Sequence, residues 1–171
     1  MKQVNFMKAK KLFVTVTLAL TVASTFMSSA IAAEPNEIVP DTDTPCIGQS
    51  YVTRDGRRYD FIGDELVKSR MTSTVYNGYV FDHDSWWDSG PNYAQACATT
   101  TSYLKGDRSV PHENYTRVRV VDSLVPSVIY EDTGRQWSNA EGVSSAKSEA
   151  NSGYTDRWNF AMRSYWGDHT T

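Results

Sequence analysis

Alternation with a period of two dominates the C-terminal end of the chain. In Arg157–Trp166, Trp158, Phe160, Met162, Ser164 and Trp166 fall on one parity, and Arg157, Asn159, Ala161, Arg163 and Tyr165 on the other. Successive strand side chains point to opposite faces, so the pattern predicts a β-strand with one strongly apolar face. A helix would align Trp158, Met162 and Trp166 but leave Phe160 on the far side. The same alternation sets Thr116, Val118 and Val120 against Tyr115, Arg117 and Arg119 in a strand over Tyr115–Asp122. Over Gly142–Ala150 it sets Ser144, Ala146, Ser148 and Ala150 apart as a small face suited to packing against rings such as Trp158 and Trp166. In that arrangement Trp158, Phe160 and Trp166 belong to the core, and Arg163 and Tyr165 are the members of the last strand left to face a ligand.

Turn residues divide the rest of the chain into short strands. Tyr76-Asn77-Gly78-Tyr79 predicts a type I′ hairpin in which Tyr76 faces Tyr79 and Val75 faces Val80, because both central residues must take positive φ. Tyr51–Thr53 and Arg58–Phe61 flank a second hairpin at Arg54-Asp55-Gly56-Arg57. Asp64–Met71 reads equally as a short helix or a strand. Asp82–Asn92 reads as an irregular loop dense in acids and Trp, Tyr93–Tyr103 as a strand, and Lys105–Asn114 as a polar loop. Val128–Tyr130 and Arg135–Trp137 are short strands joined through Asp132-Thr133-Gly134. Strands this short, with turns this frequent, predict an all-β fold, a small antiparallel β-sandwich or partly open barrel.

The N-terminus follows a different rule. Lys8, Lys10 and Lys11 precede an apolar run from Leu12 to Ala23, and small residues close on Ala30-Ile31-Ala32. A basic start, an apolar run of this length and an Ala-x-Ala site predict a secretory signal peptide over 1–32, complete from either Met1 or Met7. The run is short for a membrane span and is interrupted by Thr15, Thr17, Thr21 and Ser24. Residues 33–45, with three prolines and four acids, read as a flexible acidic arm. Residues 46–171 form a single β domain, and the mature chain is secreted with no stable membrane insertion.

Taking the four leader lysines from the 17 basic residues leaves 13 against 20 acidic ones, so the exported part is markedly acidic. Nucleic acid, which is held through cationic contacts to phosphate, is not a partner for such a surface. Two cysteines, Cys46 and Cys97, follow the leader. In an exported chain the expectation is one disulfide between them.

Four groups of residues carry possible chemistry. Asp82, His83, Asp84 and Asp88 offer oxygen and nitrogen ligands for Ca²⁺ or, with the imidazole, for a metal-dependent hydrolase. Against this, a solvated acidic loop has the same composition. Trp86 and Trp87 suit stacking on a sugar ring or anchoring a protein partner, unless one or both fill the end of the sandwich. Arg117 and Arg119, joined by Arg163 and Tyr165, suit an anionic group, unless the guanidinium groups are spent on acids such as Glu149. No nucleophile elbow, zinc-protease helix or phosphate loop is present, and a triad around His83 or His112 has no spacing to recommend it. Asn114-Tyr115-Thr116 matches a glycosylation sequon, to which no role is given.

In the C-terminal third, the succession Tyr115–Asp122, the turn Thr133-Gly134-Arg135-Gln136, the small-residue strand Val143–Ala150 and a last strand ending Tyr165-Trp166 resembles lactococcin-type secreted bacteriocins. That family's His-rich segment has only His112 here, and the connection Ser123–Ser127 and both cysteines are additional. The resemblance implies a compact secreted β-sandwich that binds a cell-envelope target without catalysis. The sequence as a whole predicts a non-enzymatic binding protein that needs no cofactor, with Ca²⁺ as the one ion to consider. Its target is an envelope component, a glycan or an extracellular protein. The alternatives are a bacteriocin-like antagonist, a small metal-dependent hydrolase built on Asp82–Asp88, and a protease inhibitor presenting Lys105–Asn114.

Overall fold

The computed structural model describes residues 38–67, 73–90, 93–138, 146–155 and 159–171. The predicted leader, the start of the arm, Arg157 and Trp158, Val143 and Ser144, and the end of the ambiguous Asp64–Met71 piece lie outside the described residues. Within them the chain is all strand and turn. The strands are β1 (Gly48–Thr53), β2 (Arg58–Ile62), β3 (Glu65–Val67), β4 (Ser73–Tyr76), β5 (Tyr79–Gly90) and β6 (Tyr93–Leu104). They continue with β7 (Asp107–Pro111), β8 (Tyr115–Asp122), β9 (Ile129–Asp132), β10 (Gln136–Trp137), β11 (Ala146–Thr155) and β12 (Phe160–Gly167).

Two antiparallel sheets pack face to face as an open sandwich rather than a closed barrel. One runs β10-β8-β12-β1-β2-β3, with β9 beside β10 on the same edge of β8. The other runs β11-β6-β5-β4, with β7 on the end of β6. The alternating C-terminal strand is β12, paired on both sides, with Phe160 opposite Asp122 and Trp166 opposite Gly48. Phe160, Met162 and Trp166 point between the sheets as their parity requires. Phe160 and Met162 share a core with Val118, Val120 and Val52, and the small residues Ala94, Ala96, Ala98 and Ala150 face them from the other sheet. Large rings on one face against alanines on the other let the sheets approach closely while filling the space. Gly48 is required for the same reason. A Cβ there would stand 2.3 Å from the Trp166 ring.

The Asn77-Gly78 hairpin forms in the expected register, Val75 opposite Val80 and Tyr76 opposite Tyr79, with φ of 48° and 83° at the turn. Asp64–Met71 yields a strand over Glu65–Val67, as far as it is described. Two expected loops are strands instead. Asp82–Gly90 continues β5 in register with β6, Trp86 opposite Cys97 and Gly90 opposite Tyr93. Residues Asp107–Pro111 of the expected polar loop form β7.

The expected disulfide is absent, and both cysteines are free thiols. Cys46 precedes β1 in one sheet. Cys97 lies on β6 in the other, on the opposite parity from the inward Ala96 and Ala98, so its side chain is turned out of the sandwich. Burial pushes the Cys46 thiol up to about 12, aided by Asp41, and also raises Cys97. Both are therefore protonated and poor nucleophiles near neutral pH. Thiol titration without reductant is expected to show slow reaction in the folded chain and two reactive groups in denaturant. Finding none in denaturant would establish the bridge.

Candidate functional site

The outer face of β12 explains where polar chemistry collects. Ala161, Arg163 and Tyr165 alternate with the core residues, and Arg163 and Tyr165 were expected to face a ligand, yet all three are buried. The cover comes from the arm. Residues 38–44 lie across the sheet, and this part of the expected flexible spacer is pinned at several points. The Asp41 N–H donates to Gln49 Oε1 at 2.9 Å and Gln49 Nε2 donates back to the Asp41 carbonyl at 3.1 Å. Arg163 Nη2 donates to the Val39 carbonyl at 3.0 Å. The Asp41 carboxylate accepts from Tyr165 OH and Arg119 Nη1, each at 2.7 Å, and from Thr44 Oγ1 at 3.1 Å. Ile38 completes the cover by packing on a second apolar layer of Tyr51, Phe61, Val121 and Ala161.

Between the arm and the β8–β9 loop a cleft of about 540 Å³ remains open. Its floor is Tyr51, Val121, Arg163 and Tyr165. The arm walls one side, and Pro126, Ser127 and Ile129 wall the other. The volume is that of a small-molecule site. Arg119, also in the wall, already has two carboxylate partners. It bonds Asp41 on one side and donates Nε to Asp132 at 2.9 Å on the other. Arg117 meets the same Asp132 through Nε at 2.7 Å. Asp132 and Asp41, not Glu149, are thus the acids that balance this pair.

Arg163 differs. It is 5% exposed, donates Nη1 to Gln49 Oε1 at 3.2 Å and Nη2 to Val39, and has no carboxylate partner among the described residues. A guanidinium carries five N–H donors, so the buried cation keeps donors in reserve. It lies 5.2 Å from the centre of the Tyr51 ring. The Tyr51 hydroxyl is itself buried with no hydrogen-bond partner among the described residues, on a residue 1% exposed. An unpaired buried cation and an unsatisfied buried hydroxyl both cost stability, and both are costs that an incoming oxyanion removes.

The Asp41 carboxyl sits below its usual range. Burial would raise it, but hydrogen bonds from Tyr165, the Asp43 N–H and Thr44, together with the Arg119 charge, outweigh burial. A depressed carboxylate stabilises above its unfolded pKa of about 4 and loses that contribution as pH falls through the folded value. The Asp43 amide, which donates to Asp41 Oδ1 at 3.0 Å, is therefore expected to titrate with a midpoint below about 4. Asp41→Asn should abolish the transition. A midpoint at or above the unperturbed value would mean that Asp41 does not latch the arm.

The other residues picked out in the sequence do not converge. On β5, His83 points between the sheets while Asp82, Asp84 and Asp88 share the other parity, and no group of metal-ligating side chains forms among the described residues. Asp82 accepts from Tyr103 OH at 3.1 Å and Asp84 from Arg58 at 2.8 Å. His83 Nε2 is 2.9 Å from Ser164 Oγ and Nδ1 2.9 Å from Thr100 Oγ1, with the ring stacked on Trp166 at 4.1 Å. Burial, and then the Arg58 charge, lower its pKa well below the ordinary value. This buried neutral imidazole lies between two hydroxyls, with no orienting carboxylate among the described residues. It is the start of a buried polar chain through Thr100, Thr116 and Ser148 to Asn114, a packing device rather than a catalytic one. Trp86 is 41% exposed on the outer face, whereas Trp87 faces Phe160 at 4.8 Å and donates Nε1 to the Thr53 carbonyl at 3.0 Å. They do not form one platform.

Sequence reasoning named Arg119, Arg163 and Tyr165 but missed Tyr51, Gln49 and Asp41. Gln49 and Tyr51 share one face of β1, but what makes them and Asp41 part of a site is the return of the arm over Arg163 and Tyr165, more than a hundred positions away. Compared with known proteins, the chain matches no family model, no curated protein and no solved structure.

Proposed function

We propose that this chain is an exported, non-enzymatic β-sandwich binding protein whose ligand site is the cleft between residues 38–43 and the β8–β9 loop. One observation carries the reading. Arg163, a buried guanidinium with no carboxylate partner among the described residues, lines an open cleft over the ring of Tyr51, whose hydroxyl is unsatisfied. The arm contacts of Arg163 leave its charge without a carboxylate, and an anionic ligand would supply that charge partner as well as an acceptor for the hydroxyl. Among the described residues the groups this cleft offers are a buried cation and a hydroxyl donor, an arrangement that supports binding an anion. The bound molecule is taken up outside the cell or at the envelope.

Amide chemical-shift mapping with small probes tests the site. Benzoate, acetate and phenyl phosphate are expected to move the signals of Val39, Val121, Ile129 and Arg163, and glucose to leave them unmoved. Silence at these positions with every probe would overturn the reading. Shifts confined to the surroundings of Trp86 on addition of sugars would move the site to the other sheet.

A further inference from the structure

Resting on that assignment of the cleft, we propose that its occupant is a single-headed amphiphile, a carboxylate borne on an unbranched apolar chain. Two independent features point there. The first is how few buried polar groups in the cleft lack partners. Asp41, Arg119 and Tyr165 already satisfy one another. Of the buried groups Arg163 and Tyr51 remain, side by side, while the polar side chains of Thr42, Asp43 and Ser127 in the lining stand in solvent. A ligand with one polar end therefore finds partners for that end, whereas a peptide would bring several backbone groups that also need them. A guanidinium fork and a hydroxyl donor suit a carboxylate.

The second feature is the rim. The loop that carries Pro126, Ser127 and Ile129 to the cleft also holds Leu124, Val125 and Val128 in solvent, with Leu124 61% exposed and Val39 half exposed on the facing arm. The loop is not slack. Asp122 Oδ1 accepts the N–H groups of Leu124 and Val125 at 2.7 and 2.9 Å. The Val128 N–H closes on the Val125 carbonyl at 2.8 Å. Five large apolar side chains held out around one anion-seeking cleft form a patch of the kind that marks a ligand groove. The head would meet Arg163 and Tyr51, and the chain would run over Val121 and Ile129 towards Val39.

Calorimetry on the intact chain, with amide shifts recorded in parallel, compares octanoate with 1-octanol, octylamine, octyl phosphate and an acetylated dipeptide ending in leucine. All are used below any micelle threshold. Octanoate is expected to bind at least about tenfold more tightly than each of the others, a difference of about 1.4 kcal/mol. Tyr51→Phe, which removes a hydroxyl that bonds nothing in the fold, should keep the chain folded and weaken octanoate severalfold. Arg163→Lys, keeping the charge but losing the fork, should weaken it further, and Trp86→Ala should leave it unchanged. Octanol binding as well as octanoate, or unchanged binding in both Tyr51→Phe and Arg163→Lys, overturns the carboxylate head. If small anions still shift the cleft, the function proposed above survives. Tighter binding of octyl phosphate or of the dipeptide replaces the proposed ligand by that class. No shift in the cleft with any probe overturns both proposals.

Discussion

Replacing Trp166 by alanine is expected to lower the stability of the chain by about 3–5 kcal/mol, read as a fall in the urea midpoint. The side chain is 1% exposed and packs with Ile47 and Phe81 at one end of the sandwich. It stacks on His83 and covers the bare backbone of Gly48. Truncation opens a cavity between two sheets whose strands are fixed by their ladders, so the site has little room to collapse. Trp166→Phe should cost less than half as much, because Nε1 bonds nothing in the folded chain and its loss removes an unsatisfied donor. The Gly48 contact supplies a sharper check. Gly48→Ala alone should be destabilising, since its Cβ would meet the ring, but should be nearly harmless in the Trp166→Ala background. Additive effects of the two substitutions would mean that the ring does not rest on Gly48.

This end of the sandwich was legible because its rules are local. The parity of Phe160, Met162 and Trp166 set the inner face of β12, and Asn77-Gly78 set the register of β4 with β5 through the positive φ that only such residues adopt readily. Where the interior is itself polar, the alternation disappears from view. Asp82, Asp84 and Trp86 face out while His83, Ser85 and Trp87 face in, so β5 carried no hydrophobic stripe and looked like a loop. The outer face of β12 failed for a different reason. Arg163 and Tyr165 have the composition of an exposed face, and only the return of the arm, 124 positions earlier, buries them. The disulfide was inferred from the compartment and from the count of two cysteines, neither of which sees that Cys97 is turned out of the sandwich. The cleft follows the same logic. Its cations were visible in the sequence, but their selection was not, because which arginine keeps free donors depends on where Asp41 and Asp132 arrive.

Asp60 is the second position at which a single change is expected to be severe. It is 2% exposed on the inner face of β2, accepts from Ser50 Oγ at 2.5 Å and from Arg58 Nε at 2.6 Å. Arg58 then reaches across to Asp84 on the facing sheet at 2.8 Å, so the guanidinium ties the two layers together. Asp60→Leu removes the buried half of this link and leaves a largely desolvated cation bonded to the half-exposed Asp84. Loss of one member of a buried pair costs about 3–5 kcal/mol, most of it from the charge left behind rather than from the bond. The double variant Asp60→Leu with Arg58→Met should therefore recover at least about 1 kcal/mol of that loss, since it removes the desolvated cation as well. Equilibrium unfolding of the two singles and the double decides the matter. If the double is as unstable as the sum of the singles, Arg58 is held by its other contacts and Asp60 contributes only its bond to Ser50. Recovery in the double would show that the two sheets are clamped by a charge pair that hydrophobic packing can replace.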